Sequence, residues 1–251
     1  KPNYAETHHK LGITLNRLGR TDEAVESYSE SIRLEPGYFH AYNDLGIALK
    51  NLDRFEEAED SYRQALNLSP DDALTKYNLG NLLLKMGRLE EAEHTLRQSI
   101  LLKPNYADAH MSLGFTLKKL NRLEEAETSY QQAIEIAPHH AAAHISLGNV
   151  LRELDRLAEA EAALRRALAL KEDYAEAYSN LGDTLQALGR LEEAEDSYRQ
   201  SIALKPYFVI AQNNLALLLN KQGKLEEAED TSRQVIEMRP DYAEAHINLG
   251  N

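Results

Sequence analysis

Residues 181–206 read LGDTLQALGRLEEAEDSYRQSIALKP, and this stretch decides the fold. Its Leu-Gly pair, its Glu-Glu-Ala-Glu run and its closing proline return along the chain at intervals of 34 residues. A fixed period of this length predicts an array of repeated supersecondary units. The residues that close the repeats are Pro36, Pro70, Pro104, Pro138, Glu172, Pro206 and Pro240.

The period divides the 251 residues into seven full repeats and one partial repeat. Because repeats of this kind pack on their neighbours, we expect a single domain over residues 1–251 in place of several globular domains. The predicted repeats are 3–36, 37–70, 71–104, 105–138, 139–172, 173–206 and 207–240, followed by a partial eighth repeat at 241–251.

Each repeat carries the local signals of two helices joined by a short turn. A glycine such as Gly46 lies in the first helix, and an alanine such as Ala58 follows twelve residues later in the second. A helical glycine costs roughly 1 kcal/mol relative to alanine, so we expect it to permit close packing against that alanine. The pattern predicts an all-α protein. The turn positions hold residues that tolerate left-handed backbone, namely Gly19, Asp53, Gly87, Asn121, Asp155, Gly189 and Gly223.

Two further patterns are expected to serve the fold. Four pairs similar to a capping box are expected to begin helices, namely Asn3/Glu6, Asn105/Asp108, Asp173/Glu176 and Asp241/Glu244. A basic residue precedes each acidic run, and we expect it to be structural. These basic residues are Arg20, Arg54, Arg88, Arg122, Arg156, Arg190 and Lys224.

The 34-residue period with this Leu-Gly, Ala, Tyr and Pro pattern resembles the tetratricopeptide repeat family over essentially the whole chain. The resemblance implies a right-handed superhelical solenoid of antiparallel helix pairs, whose concave surface binds peptides or proteins. The scatter at the later aromatic position of the repeat is typical of a natural array. That position holds Tyr28, Tyr62, Leu96, Tyr130, Leu164, Tyr198 and Ser232.

Composition argues against several classes of function. The net charge of −13 argues against nucleic acid or an anionic membrane as the main partner. No apolar stretch approaches the roughly 20 residues of a membrane span. The cellular location stays open, with the cytoplasm favoured.

The sequence carries no pattern typical of catalysis. There is no cysteine, no phosphate-binding glycine loop, no nucleophile elbow and no zincin helix. His139, His140 and His144 lack the additional ligands of a zinc site, so we expect them to pack or to be solvated. We therefore expect a non-enzymatic chain without a cofactor or a metal.

A row of polar residues precedes the leucine of the Leu-Gly pair. An amide both donates and accepts, so a regular row of asparagines could hold the backbone of an extended peptide. At its four asparagines the row resembles the asparagine ladder in the repeat arm of O-linked N-acetylglucosamine transferase. Lys10, Asp44, Ser112 and Ser146 interrupt the ladder, although Asp44 also faces the predicted groove. The alternative is that these side chains satisfy neighbouring groups or water. The candidates are Asp44, Asn78, Asn180, Asn214 and Asn248.

Neighbouring positions predict a mixed groove. Asn81 and Asn149 match single asparagines of the carboxylate clamp in the co-chaperone adaptors of the family, but the clamp lysine is absent from every repeat. Apolar side chains at the middle of the groove could anchor a partner, or could pack between repeats; they are Tyr77, Met111, Phe115 and Ile145. Residues that follow the glycine also face this groove, and they include Asp183 and Leu217.

The sequence leaves three hypotheses for function. The first is a non-enzymatic protein–protein interaction scaffold that binds an extended peptide or a partner helix in the groove. The second is the substrate-recruiting arm of a larger transferase of the glycosyltransferase type. The third is a structural scaffold that self-associates through uncapped ends, because Ala245, Ile247 and Leu249 would leave an apolar face uncovered.

Overall fold

The structure is a computed structural model that describes residues 4–243. In this range the chain forms fourteen α-helices. The prediction of an all-α chain built from antiparallel helix pairs is confirmed. The helices are α1 Tyr4–Arg17, α2 Thr21–Leu34, α3 Phe39–Asn51, α4 Phe55–Leu68, α5 Ala73–Lys85, α6 Leu89–Leu102, α7 Ala107–Lys119, α8 Leu123–Ile136, α9 Ala141–Glu153, α10 Leu157–Leu170, α11 Ala175–Ala187, α12 Leu191–Leu204, α13 Val209–Lys221 and α14 Leu225–Met238.

The chain divides into two compact units, and each is described by itself. The first unit is Lys1–Arg122 and contains α1–α7, and the second is Leu123–Asn251 and contains α8–α14. We call the odd-numbered helices first helices and the even-numbered helices second helices. Within a unit, each first helix packs on a second helix, and consecutive first helices also touch. The single domain over residues 1–251 and the repeat boundaries stay predictions.

The turns between paired helices adopt the expected left-handed backbone. Gly189 has φ 76°, and Asp155 has φ 59°. The next residue then closes the helix end, since the Arg190 N–H donates to the Leu185 carbonyl at 3.0 Å. The same positive φ occurs at all seven predicted turn positions, so this part of the sequence analysis is confirmed.

The predicted capping pairs are wrong where the structure describes them fully. Helices α7 and α11 begin one residue later than Asn105 and Asp173 would require, after Tyr106 and Tyr174, and neither cap residue makes a side-chain hydrogen bond to the helix. A side chain does cap α5, because Asp72 Oδ2 accepts from the Thr75 N–H at 2.7 Å. The other two pairs contain Asn3 and Glu244, which lie outside the described residues.

The helical glycines make room above all for a large side chain. The expected alanine is among the three nearest contacts at Gly148, where the Ala160 carbonyl oxygen lies 3.3 Å from a Cβ built on the glycine. A Cβ built on Gly46 would lie 2.6 Å from Tyr62 Cε1, a contact too short for a real side chain. Ala58 is fully buried in the same helix pair, yet it is not among the nearest atoms. The partner of the glycine is therefore the tyrosine or leucine sixteen residues later. The other described pairs are Gly12–Tyr28, Gly80–Leu96, Gly148–Leu164 and Gly182–Tyr198.

An ion-pair ladder joins the second helices of neighbouring repeats. Arg88 bridges two carboxylates, with Nη1 2.6 Å from Glu59 Oε2 and Nη2 2.6 Å from Glu91 Oε2. Val25 replaces the carboxylate in α2, so Arg54 cannot make the same bridge to that helix. The structural interpretation of these basic residues therefore agrees with their contacts. The equivalent bridges are Arg122–Glu93, Arg156–Glu127, Arg190–Glu161 and Lys224–Glu195.

Candidate peptide-binding surface

The predicted binding positions lie on the first helices. In the first unit α1, α3, α5 and α7 follow one another side by side, and in the second unit α9, α11 and α13 do the same. We call the surface that these helices form within one unit its first-helix surface. Residues three or four apart share one face of a helix, so the position after the glycine and the position three residues later project together.

In the first unit, the predicted ladder residues are engaged by neighbouring side chains. Asn78 is buried, and its Nδ2 donates to Asn43 Oδ1 at 3.0 Å. Asp44 is half-buried; its Oδ2 lies 2.7 Å from His9 Nε2, and its Oδ1 accepts from Asn43 Nδ2 at 3.1 Å. These contacts leave Asn78 little surface for a ligand.

In the second unit, the ladder residues Asn180 and Asn214 are both partly exposed. Asn214 Nδ2 donates to Asp183 Oδ1 at 2.8 Å, so one of its two amide hydrogens is used. The last predicted ladder residue, Asn248, lies outside the described residues, as do Ala245, Ile247 and Leu249, for which the sequence predicted an uncovered apolar face.

The predicted apolar anchors are distributed between the units. In the first unit, Tyr77 stacks against Tyr106 with ring centroids 4.9 Å apart, and Met111 is partly exposed one helical turn before Phe115. Phe115 is 45% exposed. In the second unit, Ile145 belongs to the hydrophobic core, so it offers little surface to a partner.

The two predicted clamp asparagines are both partly exposed. Asn149 differs from Asn81 in one respect, because its Oδ1 is buried and makes no hydrogen bond within the described residues. A buried acceptor without a partner is costly unless water or a ligand satisfies it. Asn149 is on α9, one helical turn before Arg152.

A polar pocket of about 210 Å³ opens on the first-helix surface of the second unit. It is lined by Arg152 from α9, Asp183 and Gln186 from α11, Tyr198 from α12, and Asn214 and Leu217 from α13. Of these residues, sequence reasoning placed Asn214, Asp183 and Leu217 in a groove. It missed Arg152, Gln186 and the Tyr198 hydroxyl.

Asp183 is the centre of the hydrogen bonds in this pocket. Its Oδ1 accepts from the Tyr198 hydroxyl and from Asn214 Nδ2, each at 2.8 Å. Its Oδ2 lies 3.9 Å from Arg152 Nη2, which is too far for a hydrogen bond. Burial raises the pKa of Asp183, although Tyr198, Arg152 and Asn214 act in the opposite direction. Burial also raises the pKa of Tyr198, which keeps its hydroxyl a donor.

A periodic signal could have located Arg152 in the sequence. It stands four residues after Gly148, as Gln186 stands four residues after Gly182. This position is one helical turn beyond the residue that follows each glycine, so Arg152 faces the same surface as Asn149, and Gln186 faces the same surface as Asp183. Periodicity alone does not say that Arg152 would approach an aspartate of the next first helix.

A larger, more apolar pocket lies elsewhere in the second unit, between the second helices α8 and α10. It measures about 480 Å³, and Ile134, Leu147 and Leu151 contribute to its walls together with Ala162 and Ala163. Nothing in the sequence analysis pointed to this groove. Smaller pockets occupy equivalent positions of other repeats, where Asp60 and Ser61 or Asp196 and Ser197 stand in place of the two alanines.

The histidines of this region make local hydrogen bonds. His140 Nδ1 accepts from the Ala143 N–H at 3.1 Å and so caps α9, while His144 Nε2 lies 3.2 Å from the Pro138 carbonyl oxygen. Within residues 4–243 there is no group of three side chains placed to hold a metal ion. No helix in that range is long and apolar enough to cross a lipid bilayer.

Family models match most of this chain. Residues 5–207 match the model of the C-terminal domain of cilia and flagella-associated protein 70, which is a tetratricopeptide repeat model, and residues 179–243 match a tetratricopeptide repeat model. The chain belongs to the tetratricopeptide repeat family. No curated protein matches it significantly.

Solved tetratricopeptide repeat structures share the fold. YrrB, described as a TPR protein with an unusual peptide-binding site, is 24% identical, with a TM-score of 0.60 over 76% of this chain and 98% of that chain. A tetratricopeptide repeat protein from Parabacteroides merdae ATCC 43184 is 16% identical, with a TM-score of 0.76 over 98% of each chain. A chain of the APC/C hetero-tetramer Cut9-Hcn1 is 21% identical, with a TM-score of 0.74 over 87% of this chain and 43% of that chain.

Proposed function

We propose that this tetratricopeptide repeat chain is a non-enzymatic scaffold that binds an extended peptide of a partner protein on the first-helix surface of its second unit. The observation that carries the proposal is the polar pocket around Asp183, whose lining includes an aspartate and an arginine that lie too far apart to hydrogen-bond to each other. Because packed helices hold these polar groups in place, little conformational entropy is lost when a peptide binds to them.

An extended peptide suits this surface because its backbone presents donors and acceptors in alternation. Asn180 and Asn214 stand at equivalent positions of adjacent first helices, and both are partly exposed. Each amide can donate and accept at once, so the two could hold one strand of backbone without reading its side chains. The peptide-binding site named for YrrB and the assembly named for Cut9-Hcn1 support a protein partner by analogy.

The test is a peptide-display selection against the immobilised chain. Peptides that bind should lose about ten-fold or more in affinity for a variant that carries Asn180→Ala and Asn214→Ala. The matched control carries Gln200→Ala and Asp230→Asn, which are exposed on second helices. The proposal fails if the selected peptides bind the asparagine variant as tightly as the original, or if only the control loses binding.

The two other hypotheses predict different results. A self-assembling scaffold would show a mass that rises with protein concentration in light scattering, and a constant monomeric mass would remove it. A transferase arm would recruit substrate peptides for a catalytic domain in the same protein. The transferase hypothesis would be supported if the full protein has a transfer activity and that activity falls when Asn180 and Asn214 are both replaced by alanine.

A further inference from the structure

We propose that the polar pocket receives the carboxamide of a glutamine or asparagine side chain. The carboxamide N–H would donate to Asp183 Oδ2, and its carbonyl oxygen would accept from the Arg152 guanidinium. This inference rests on the proposed function, because it names the peptide side chain that the surface selects. The pocket of about 210 Å³ has room for the end of one side chain.

The acceptor half of the site is the unused oxygen of Asp183. Its Oδ1 already accepts two hydrogen bonds, from the Tyr198 hydroxyl and from Asn214 Nδ2. These bonds fix the plane of the carboxylate and point Oδ2 toward Arg152. An ionised carboxylate has capacity for further donors, so Oδ2 is ready to accept an N–H from a ligand.

The donor half of the site is the Arg152 side chain. Its Nε is buried without a hydrogen-bond partner in the described part of the chain, and its Nη2 lies 3.9 Å from Asp183 Oδ2. An unsatisfied buried donor costs free energy that a ligand oxygen would recover. Arg152 therefore presents donors beside the acceptor of Asp183, at a spacing that one bridging group can span.

Charge selects a neutral ligand for this pair. A cationic side chain would approach Arg152, and an anionic one would approach Asp183; in both cases repulsion from one partner offsets attraction to the other. A carboxamide offers one donor edge and one acceptor edge without a net charge. It satisfies both partners together, whereas a purely apolar side chain would leave both unsatisfied.

The experiment titrates the ¹⁵N-labelled chain with N-acetylglutamine methylamide, whose only primary carboxamide is on the side chain, and follows the amide resonances by NMR. A ligand of this size is expected to bind with a dissociation constant on the order of 1 mM. We expect shifts confined to α9, α11, α12 and α13, and affinities about ten-fold weaker for the methylamides of anionic N-acetylglutamate and cationic N-acetylarginine, which carry no primary carboxamide. Equal or tighter binding of either charged probe, or no saturable shift with the glutamine probe, would overturn the proposal.

Variants assign the two halves of the site. Asp183→Asn keeps an oxygen for Tyr198 and Asn214 but replaces Oδ2 with a donor, so binding of N-acetylglutamine methylamide should weaken about ten-fold or more. Arg152→Met should weaken it similarly through loss of the other half. Asp230→Asn, an exposed change on α14, should leave it unchanged. Unaltered binding to a folded Asp183→Asn and a folded Arg152→Met, checked by their spectra, would sink the assignment.

The result separates this inference from the proposed function. The carboxamide site alone would be refuted if the selected peptides lose affinity for the variant with Asn180→Ala and Asn214→Ala while the NMR titration shows no preference for the glutamine probe. A saturable glutamine probe with no peptide selected by display would refute the scaffold function alone.

Discussion

At Gly46, one missing methyl group admits the ring of Tyr62 between two helices. The same rule explains the last full repeat, where Ala216 replaces the glycine and Ser232 replaces the tyrosine. Both residues are buried, so added volume on one helix is matched by lost volume on the other. Two departures from the repeat pattern are therefore a single packing adjustment.

The packing at Gly46 predicts that Gly46→Ala destabilises the protein. The new Cβ would overlap a fully buried tyrosine ring, at a cost of roughly 1–3 kcal/mol, and the roughly 1 kcal/mol that alanine gains in helix propensity offsets part of it. Urea unfolding followed by circular dichroism measures the difference. Gly37→Ala is the control, since a Cβ there meets no atom within 4 Å. An unchanged midpoint for Gly46→Ala would contradict this packing.

The environment of Asp183 predicts how stability depends on pH. Burial raises its pKa in the folded state, so this carboxyl favours folding in acid, and that contribution is lost as the pH rises through the folded-state value. Asp183→Asn should therefore be at least as stable as the original at pH near 7, and this advantage should disappear below about pH 4, where unfolded aspartate is protonated. Urea unfolding at both pH values tests the sign. A large loss of stability in Asp183→Asn at neutral pH would contradict this prediction, because it would show that the ionised carboxylate stabilises the folded state.

At the scale of the helix, first and second helices have different tasks. The second helices carry the ladder of arginine and glutamate, in which Glu59 has a side chain only 13% exposed between Arg63 and Arg88. Burial acts to raise the pKa of Glu59, but the hydrogen bonds from Arg63 and Arg88 outweigh it and lower the pKa. The first helices instead leave polar groups such as Arg152 incompletely paired, which suits a binding surface.

This ladder predicts a modest, salt-dependent effect for Glu59→Gln. Solvent screens the exposed arginines, so we expect a loss of only about 0.5 kcal/mol in the free energy of unfolding. The loss should shrink in about 1 M salt, and also in acid, because a lowered pKa means that the contribution of Glu59 vanishes as the pH falls through its folded-state value. Glu56→Gln, exposed on the same helix, is the control. Equal effects for both variants would argue against a role of the bridge.

At the scale of the whole molecule, the described helices of each unit contact near neighbours in the chain and no distant helix of that unit. Stability in such an array is a sum of local terms, so a defect in one repeat need not reach a distant one. The net charge of −13 produces electrostatic repulsion between copies of the chain. Local structure and local function can therefore vary from repeat to repeat.

The array predicts a local response to Gly46→Ala in hydrogen exchange. Amide protection should fall in α3 and α4 and in the helices that pack on them, because openings of a repeat array are regional. Protection in α11–α14 should stay as in the original protein. Mass spectrometry of peptides from the exchanged protein measures each region. A uniform loss along the chain would show instead that the protein opens as one cooperative block.

The sequence by itself determined the period, the helix pairs and the left-handed turns, because backbone preferences at positions such as Gly189 and Asp155 act within a few residues. Only the tertiary structure decided which polar side chains stay free. Asn78 and Asn214 occupy the same position of the repeat, yet one is buried against Asn43 and the other borders an open pocket. Their partners lie in a preceding repeat, and the side chains that approach one another across first helices are fixed by packing that no local pattern encodes.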